Sequence, residues 1–460
     1  MYNLTFVTDK NKKKLLYEQL YEHIAEEIHS GRISEGERLP SKKSLASHLK
    51  ISVNTVENAY SILVAEGYIE AKPRSGYYVQ RVEMPILNEV RFADGNRVKK
   101  LPEKKYKIDF KTNSTDVKSF PYATWVRLSK EIMYSKPELL DIGDFRGDVE
   151  LRENIAKYLH EFRGVHTKPE NIVIGAGIEY LLTLLIRILK GKIYAIENPG
   201  YVKVEQIFKN SANAVNYIPV DNGGMSIDYL YHTNSDIVYL TPSHQFPTGV
   251  VMPIGRRLDL IKWAAEKEGR YIIEDDYNGE FNFGIKPMPA IQGLSQGDRV
   301  IYLSTFSRIL APSIRISYMA LPDELMREYE KHFYGYTCTV PRFEQHTLNC
   351  FIERGYFSRH LNRVRNIYRK RCEKLYEILN VEDVQISGEN AGLHLLVKTP
   401  FAEDFIKTAK NRGIKLYRLD DYFFSPPQER SDTVIIGYGG CNDDDIAELA
   451  KTVKDVWKSK

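Results

Sequence analysis

Residues 39–79 read LPSKKSLASHLKISVNTVENAYSILVAEGYIEAKPRSGYYV, and their punctuation decides the fold of the N-terminal region. Pro40-Ser41 opens a helix with Ser41 as its N-cap and Leu45 and Leu49 facing inward. Ser52 caps the next helix, Val53–Glu66, whose inner face carries Val56, Tyr60 and Leu63 and which Gly67 ends. The remainder, GYIEAKPRSGYYV, reads as two short strands about a turn. Toward the N-terminus, Leu16, Leu20, Ile24 and Ile28 recur at i, i+4, predicting an amphipathic helix over Leu15–His29 that Gly31 and Gly36 stop. Three short helices and a β-wing make a winged helix-turn-helix, a form whose third helix fits the DNA major groove while the wing lies on the backbone. Its alternative use is protein contact alone.

Downstream, residues 81–107 lack sustained periodicity, carry Pro85 and Pro102, and read as a linker between a domain over 1–80 and one over 108–460. From 108 onward, short apolar runs alternate with longer amphipathic stretches. Asn171–Ile174, Lys192–Ile196, Ile237–Leu240, Tyr271–Ile273 and Val300–Leu303 are the candidate strands. That alternation predicts an α/β fold with a mostly parallel sheet. A smaller α+β subdomain is expected over about 340–460, with a helix at 357–379 and strands near 393–397 and 433–438. The chain of 460 residues is 43% hydrophobic and 27% charged, which suits globular domains and excludes a disordered chain. No apolar run reaches the roughly 18 residues of a membrane span, and no signal peptide is visible, so a cytoplasmic protein is expected. The four cysteines lie far apart with no C-x-x-C pair, so no metal site is expected and a reducing compartment is. A net charge of +4 permits a nucleic-acid partner without arguing for one.

The string over 39–79 closely resembles the GntR family of bacterial DNA-binding domains. The resemblance implies a double-stranded DNA operator as partner and contacts from Ser41, Lys43, Ser52, Asn54, Thr55, Arg74 and Gly76. Lys43 and Arg74 are suited to phosphates, and Asn54 and Thr55 to base edges. Where that family commonly has an arginine this chain has Val53, and its first 80 residues are close to neutral. DNA binding is therefore expected to lean on dimerisation and a paired half-site.

From about residue 110 the chain resembles the fold-type I aminotransferases. More closely, it resembles the MocR/GabR-type regulators that fuse that fold to a GntR domain. The resemblance is carried by TPSHQFPTGVVMP (241–253), IIEDDYNGEF (272–281) and STFSRILAPSIRISYMALP (304–322). It implies a pyridoxal phosphate (PLP) site. Asp275 matches the carboxylate on the pyridine nitrogen, Tyr277 the phenol near the ring oxygen, and Tyr201 in ENPGYVKV the stacking ring. Gly175, Ala176, Gly177 and Ile178 lie between a strand and a helix, where free amides favour an anion. Thr305, Ser307 and Arg315 match further phosphate ligands, and His244 is a candidate polar contact. His394 is expected to be packing, and Asn442 with its three aspartates to start the last helix.

One residue changes the chemistry. Where the resemblance calls for the lysine that links to the cofactor's aldehyde, this chain has Arg308. A guanidinium stays protonated and is a very poor nucleophile. A carboxylate-binding arginine is also missing, its counterpart being Gly440, and Lys203 stands where relatives have arginine. The resemblance implies a regulator and a homodimer, and these departures imply that its aminotransferase-like domain is not an enzyme. It senses a small-molecule effector: PLP bound non-covalently, a PLP adduct or another anionic metabolite. The alternatives are a PLP-dependent enzyme, with Lys203 as a displaced donor, and a regulator whose large domain is only a dimerisation scaffold.

Overall fold

The computed structural model describes residues 6, 14–81, 106–211, 214–283, 288–295, 298–425 and 430–458, in two compact units, Met1–Glu103 and Lys104–Lys460. Nearly all of the stretch 81–107 read as a linker lies outside the described residues.

In the first unit, α1 (Leu16–His29), β1 (Arg38–Leu39), α2 (Lys42–Leu49), α3 (Val53–Ala65), β2 (Ile69–Lys72) and β3 (Gly76–Val79) follow in order. The strands form an antiparallel sheet in the order β1-β3-β2, so the wing pairs with a short strand that the sequence reading did not include. Leu20, Ile24, Leu45, Val56, Tyr60, Leu63, Ile69 and Val79 share one core, while Leu16 is only half-buried. Each such buried aliphatic or aromatic side chain contributes about 1.5–3 kcal/mol. Ser41 accepts a hydrogen bond from the Ser44 amide at 3.2 Å, and Ser52 from the Thr55 amide at 3.1 Å. Between the two helices Lys50 adopts φ +53°, the left-handed turn that sets their crossing. Tyr60 donates to the Pro40 carbonyl at 2.9 Å and locks α3 under the start of α2.

In the second unit an eight-stranded sheet runs in the order 172–175, 317–320, 300–305, 271–275, 237–240, 194–198, 215–221, 224–225. The sheet is mostly parallel, as expected. The strand Ser317–Ala320 is antiparallel to both neighbours, and the edge hairpin is antiparallel too. Period-two alternation sorts the side chains. Ile273, Ile301 and Leu303 pack with the helix Ile178–Ile188 on one face, and Ile272, Val300 and Val238 pack with Trp263 on the other. A second, antiparallel sheet joins Gln385–Ser387, His394–Lys398, Thr433–Gly437 and Tyr417–Arg418. The helices Tyr356–Leu379 and Asp443–Lys458 belong to this smaller layer, and Asn442 Oδ1 caps the latter at the Asp445 amide.

Two boundaries differ from the sequence reading. Lys107, placed in the linker, donates to the Gly413 carbonyl at 2.8 Å and so is held by the smaller layer. The helix Arg342–Glu353, assigned to the small subdomain, instead bonds to the helices Tyr122–Ser135 and Val149–Arg163. Its links are Ser129–Thr347 at 3.3 Å and Asn154–Asn349 at 2.7 Å. A helix buried on two sides carries no periodic mark of its domain. Among the described residues no helix is long and apolar enough to cross a membrane, and no group of side chains could hold a metal ion.

Candidate functional site

Two regions gather the residues singled out from sequence. In the first unit Ser41, Lys43, Ser52, Asn54 and Arg74 are exposed, Thr55 and Gly76 half-buried. Ser52 Oγ and Thr55 Oγ1 lie 2.8 Å apart, so both hydroxyls are drawn into the cap of α3. Arg74 takes φ +61° at the wing tip, and Gly76 takes φ +121° with Arg38 against it: a Cβ there would sit 3.1 Å from Arg38 Nε. The positive φ, rather than the contact with the movable arginine end, is what favours glycine there. Lys42, beside Lys43, is engaged by Glu57 of α3.

In the second unit a cavity of about 450 Å³ opens at the ends of the parallel strands. Ile178, Tyr201, Asp275, Tyr277, Thr305, Ser307, Arg308 and Arg315 all line it. Asp275 is the last residue of its strand and is buried. Tyr239 donates to its Oδ2, while Oδ1 has no partner among the described residues. Burial, only partly offset by the Tyr239 bond, pushes its carboxyl up to about 7. Burial likewise raises the Tyr201 phenol to about 12.

Arg308 is pinned. Its Nε donates to Asn278 Oδ1 at 3.2 Å, its Nη2 to the Thr112 carbonyl at 2.9 Å, and its guanidinium lies 5.7 Å from the Tyr277 ring centre. Burial lowers its pKa, but a guanidinium starts so high that it stays charged. Beside it the buried Ser307 hydroxyl has no partner among the described residues. The Thr305 hydroxyl, by contrast, is already occupied by Ser317 Oγ at 2.8 Å and the Ser307 amide at 3.2 Å.

Several sequence assignments are not brought together. Gly175, Ala176 and Gly177 do not line the cavity. The Ala176 amide donates to Thr339 Oγ1 at 3.0 Å and the Gly177 amide to the Gly175 carbonyl at 2.8 Å, so neither is free for an anion. Gly177 matters instead for the backbone: it takes φ +104°, a conformation that favours glycine. His244 is also off the lining. It is fully buried, its backbone carbonyl accepts the Tyr277 hydroxyl at 3.1 Å, and its ring lies 4.9 Å from that of His394. It supports Tyr277 from below. His394 is packing, with Nε2 2.7 Å from the Pro247 carbonyl. Gly440 has no room to have been a clamp in this arrangement, since a Cβ would lie 2.5 Å from that of Ser114.

Other residues of the cavity escaped the sequence reading. Glu179 binds Arg315 at 2.7 Å and lies 4.0 Å from Lys203 Nζ. Tyr239 and the segment Lys111–Asn113 also line the wall. Their contacts span long stretches of chain, so no local pattern marks them; only the strand position of Tyr239 gave a hint.

Comparison with known proteins agrees with both regions. Residues 16–79 match the model described as bacterial regulatory proteins, gntR family, and residues 105–430 match aminotransferase class I and II. The chain is 41% identical to the HTH-type transcriptional regulator YdeL of Bacillus subtilis, over 96% of this chain and 97% of that one. It is 32% identical to the probable rhizopine catabolism regulatory protein MocR of Rhizobium meliloti, over 98% and 95%. Among solved structures, a kynurenine aminotransferase of Pyrococcus horikoshii superposes with a TM-score of 0.68 at 26% identity, over 77% of this chain and 91% of that one.

Proposed function

Because the chain belongs to the MocR-type HTH transcription regulators, in which a GntR-family head precedes a class I and II aminotransferase body, we propose that its body senses a small anionic ligand without turning it over. The observation that carries this reading is Arg308, charged, half-buried and tied to Thr112 and Asn278 where the resemblance sets the reactive lysine. Such a group donates hydrogen bonds and does not attack carbon.

The aminotransferase fold family normally binds PLP, and the ring portion of the cavity suits it. Asp275 offers an unpaired carboxylate oxygen for a protonated ring nitrogen, Tyr201 an aromatic face, and Ser307 an unpaired hydroxyl for an acceptor. When bound, PLP supplies an electrophilic aldehyde and an electron-withdrawing ring. The chain's own residues would only hold and orient it: Asp275 would hold the ring nitrogen and Arg315 the anionic end, while His244 supports Tyr277. PLP without a covalent link, a PLP adduct or another anionic metabolite meets these requirements.

In the head, Lys43 and Arg74 take DNA phosphates while Asn54 faces base edges and Thr55, drawn into the α3 cap, positions the start of that helix. A homodimer presents two heads to a paired half-site. An apolar surface on the second unit supports it: Tyr134 is 89% and Ile142 84% exposed, with Tyr122, Val126, Met133 and Leu140 nearby in sequence and also exposed. Ligand acts on DNA binding only to the extent that it favours one arrangement of the dimer by its own contacts.

The reading is tested by fluorescence anisotropy of the full-length protein on duplexes it selects, with and without PLP, alongside an assay for transfer from amino acids to keto acids. A ligand-dependent shift in DNA affinity with no turnover is expected. Steady turnover by purified protein would refute it.

A further inference from the structure

Along α3 the exposed residues of the first three turns are Val53, Asn54, Glu57, Asn58 and Ser61, which fall on adjoining rows of one helix face. Nothing on this helix is basic. Glu57 is held by Lys42, and the Ser61 hydroxyl donates to the Glu57 carbonyl at 2.8 Å. The groups on this face that no bond among the described residues engages are two carboxamides and one isopropyl group.

In a major groove these groups discriminate. Guanine is read by arginine or lysine at O6 and N7, and cytosine by a carboxylate at its amino group. Adenine is read by asparagine at N6 and N7, and thymine by apolar contact with its methyl. Val53 stands at the first helical position, 40% exposed, in the turn that reaches base edges in helix-turn-helix proteins. A single exposed valine is ordinary on a protein surface. This one sits beside Asn54, on a face from which every guanine-reading and free cytosine-reading group is missing. The cations available to phosphates, Arg38, Lys43, Lys50 and Arg74, all lie off α3 and are exposed.

From this we infer that the half-site under α3 is built on A·T pairs, with Asn54 and Asn58 facing adenines and Val53 a thymine methyl. The inference rests on the DNA-binding reading above and adds which bases are read. Affinity then comes from cations outside the helix, and specificity from uncharged groups on it.

Selection of random duplexes by the full-length protein tests it. An enriched half-site with an A·T core is expected. Replacing its thymines one at a time with deoxyuridine removes single methyls. At one position this is expected to weaken binding about threefold or more for the wild type, and not for Val53→Ala. Val53→Arg is expected to move the enriched base at that position to guanine. Both variants change an exposed side chain, and an unaltered melting curve confirms the fold. An enriched motif centred on G·C pairs, or deoxyuridine without effect on the wild type, overturns the inference and leaves the DNA-binding reading standing. No enrichment, with binding abolished equally by any competitor duplex, overturns both.

Discussion

The head and the body handle polar groups in opposite ways. On the face of α3 the side chains are exposed and reach water, so carrying them costs the fold almost nothing. In the body, Asp275, Ser307 and Arg308 line the cavity, each with a buried polar atom that finds no partner among the described residues. Buried unpaired groups cost about 1–3 kcal/mol each, so the body gives up stability to keep a ligand site ready. The difference teaches where function is stored: in surface chemistry in the head, in unsatisfied burial in the body. The three tryptophans, Trp125, Trp263 and Trp457, all lie in the body, so their fluorescence reports its unfolding separately from the head's.

The largest effect expected is on a buried ion pair. Arg163 and Asp276 meet at 2.6 Å, both almost wholly buried, with Tyr302 also donating to Asp276. Arg163→Met strands that carboxylate and is expected to cost about 3–5 kcal/mol in urea unfolding followed by tryptophan fluorescence. A loss under 1 kcal/mol would mean the body's polar core is far more yielding than the comparison holds.

Next comes a gain. Asp275 has a folded-state pKa of about 7, above its ordinary range near 4. Between those values the native state holds a proton that the unfolded chain has released, so this group's contribution to stability is complete below about pH 4 and lost as pH rises to 7. Asp275→Asn removes the loss. In the ligand-free protein at pH 8 it is expected to stabilise the body by about 1–3 kcal/mol, with no advantage at pH 4. Burial raises Glu197, Glu274 and Glu280 to about 7 as well, so only the difference between variant and wild type isolates Asp275. A pH-independent difference would show that the carboxyl is already paired.

The head is expected to respond less. Ser52→Ala removes the α3 cap and is expected to cost about 1 kcal/mol in a thermal melt followed by circular dichroism, leaving tryptophan fluorescence unchanged. Lys43→Gln is expected to leave stability alone and reduce the salt dependence of DNA binding by about one counterion.

Much of both units was legible because their signals are local. Ser41 and Ser52 before apolar-periodic runs mark the starts of α2 and α3, and Gly67 marks the end of α3 within a residue of the expected Glu66. Strands such as Ile237–Leu240 are short apolar runs that the sheet buries whole. The ring-facing residues were found through motif order, and all of them line the cavity. The proposed phosphate cradle at Gly175–Gly177 was misread because a strand-to-helix turn shows that amides exist, not which acceptors Thr339 and Gly175 have already supplied. Glu179, Tyr239 and Thr112 were missed because their partners stand 136, 36 and 196 residues away. The antiparallel course of Ser317–Ala320 leaves no trace in composition, since a strand buried on both faces reads the same in either direction.

The central claim, that no side chain in the cavity bonds to a cofactor aldehyde, is tested most directly by borohydride reduction of the protein with PLP, followed by peptide mass spectrometry. The account predicts no phosphopyridoxyl mass on the peptides carrying Lys111 and Lys203, the lysines among the described residues lining the cavity. A stoichiometric reduced adduct on either lysine would contradict it.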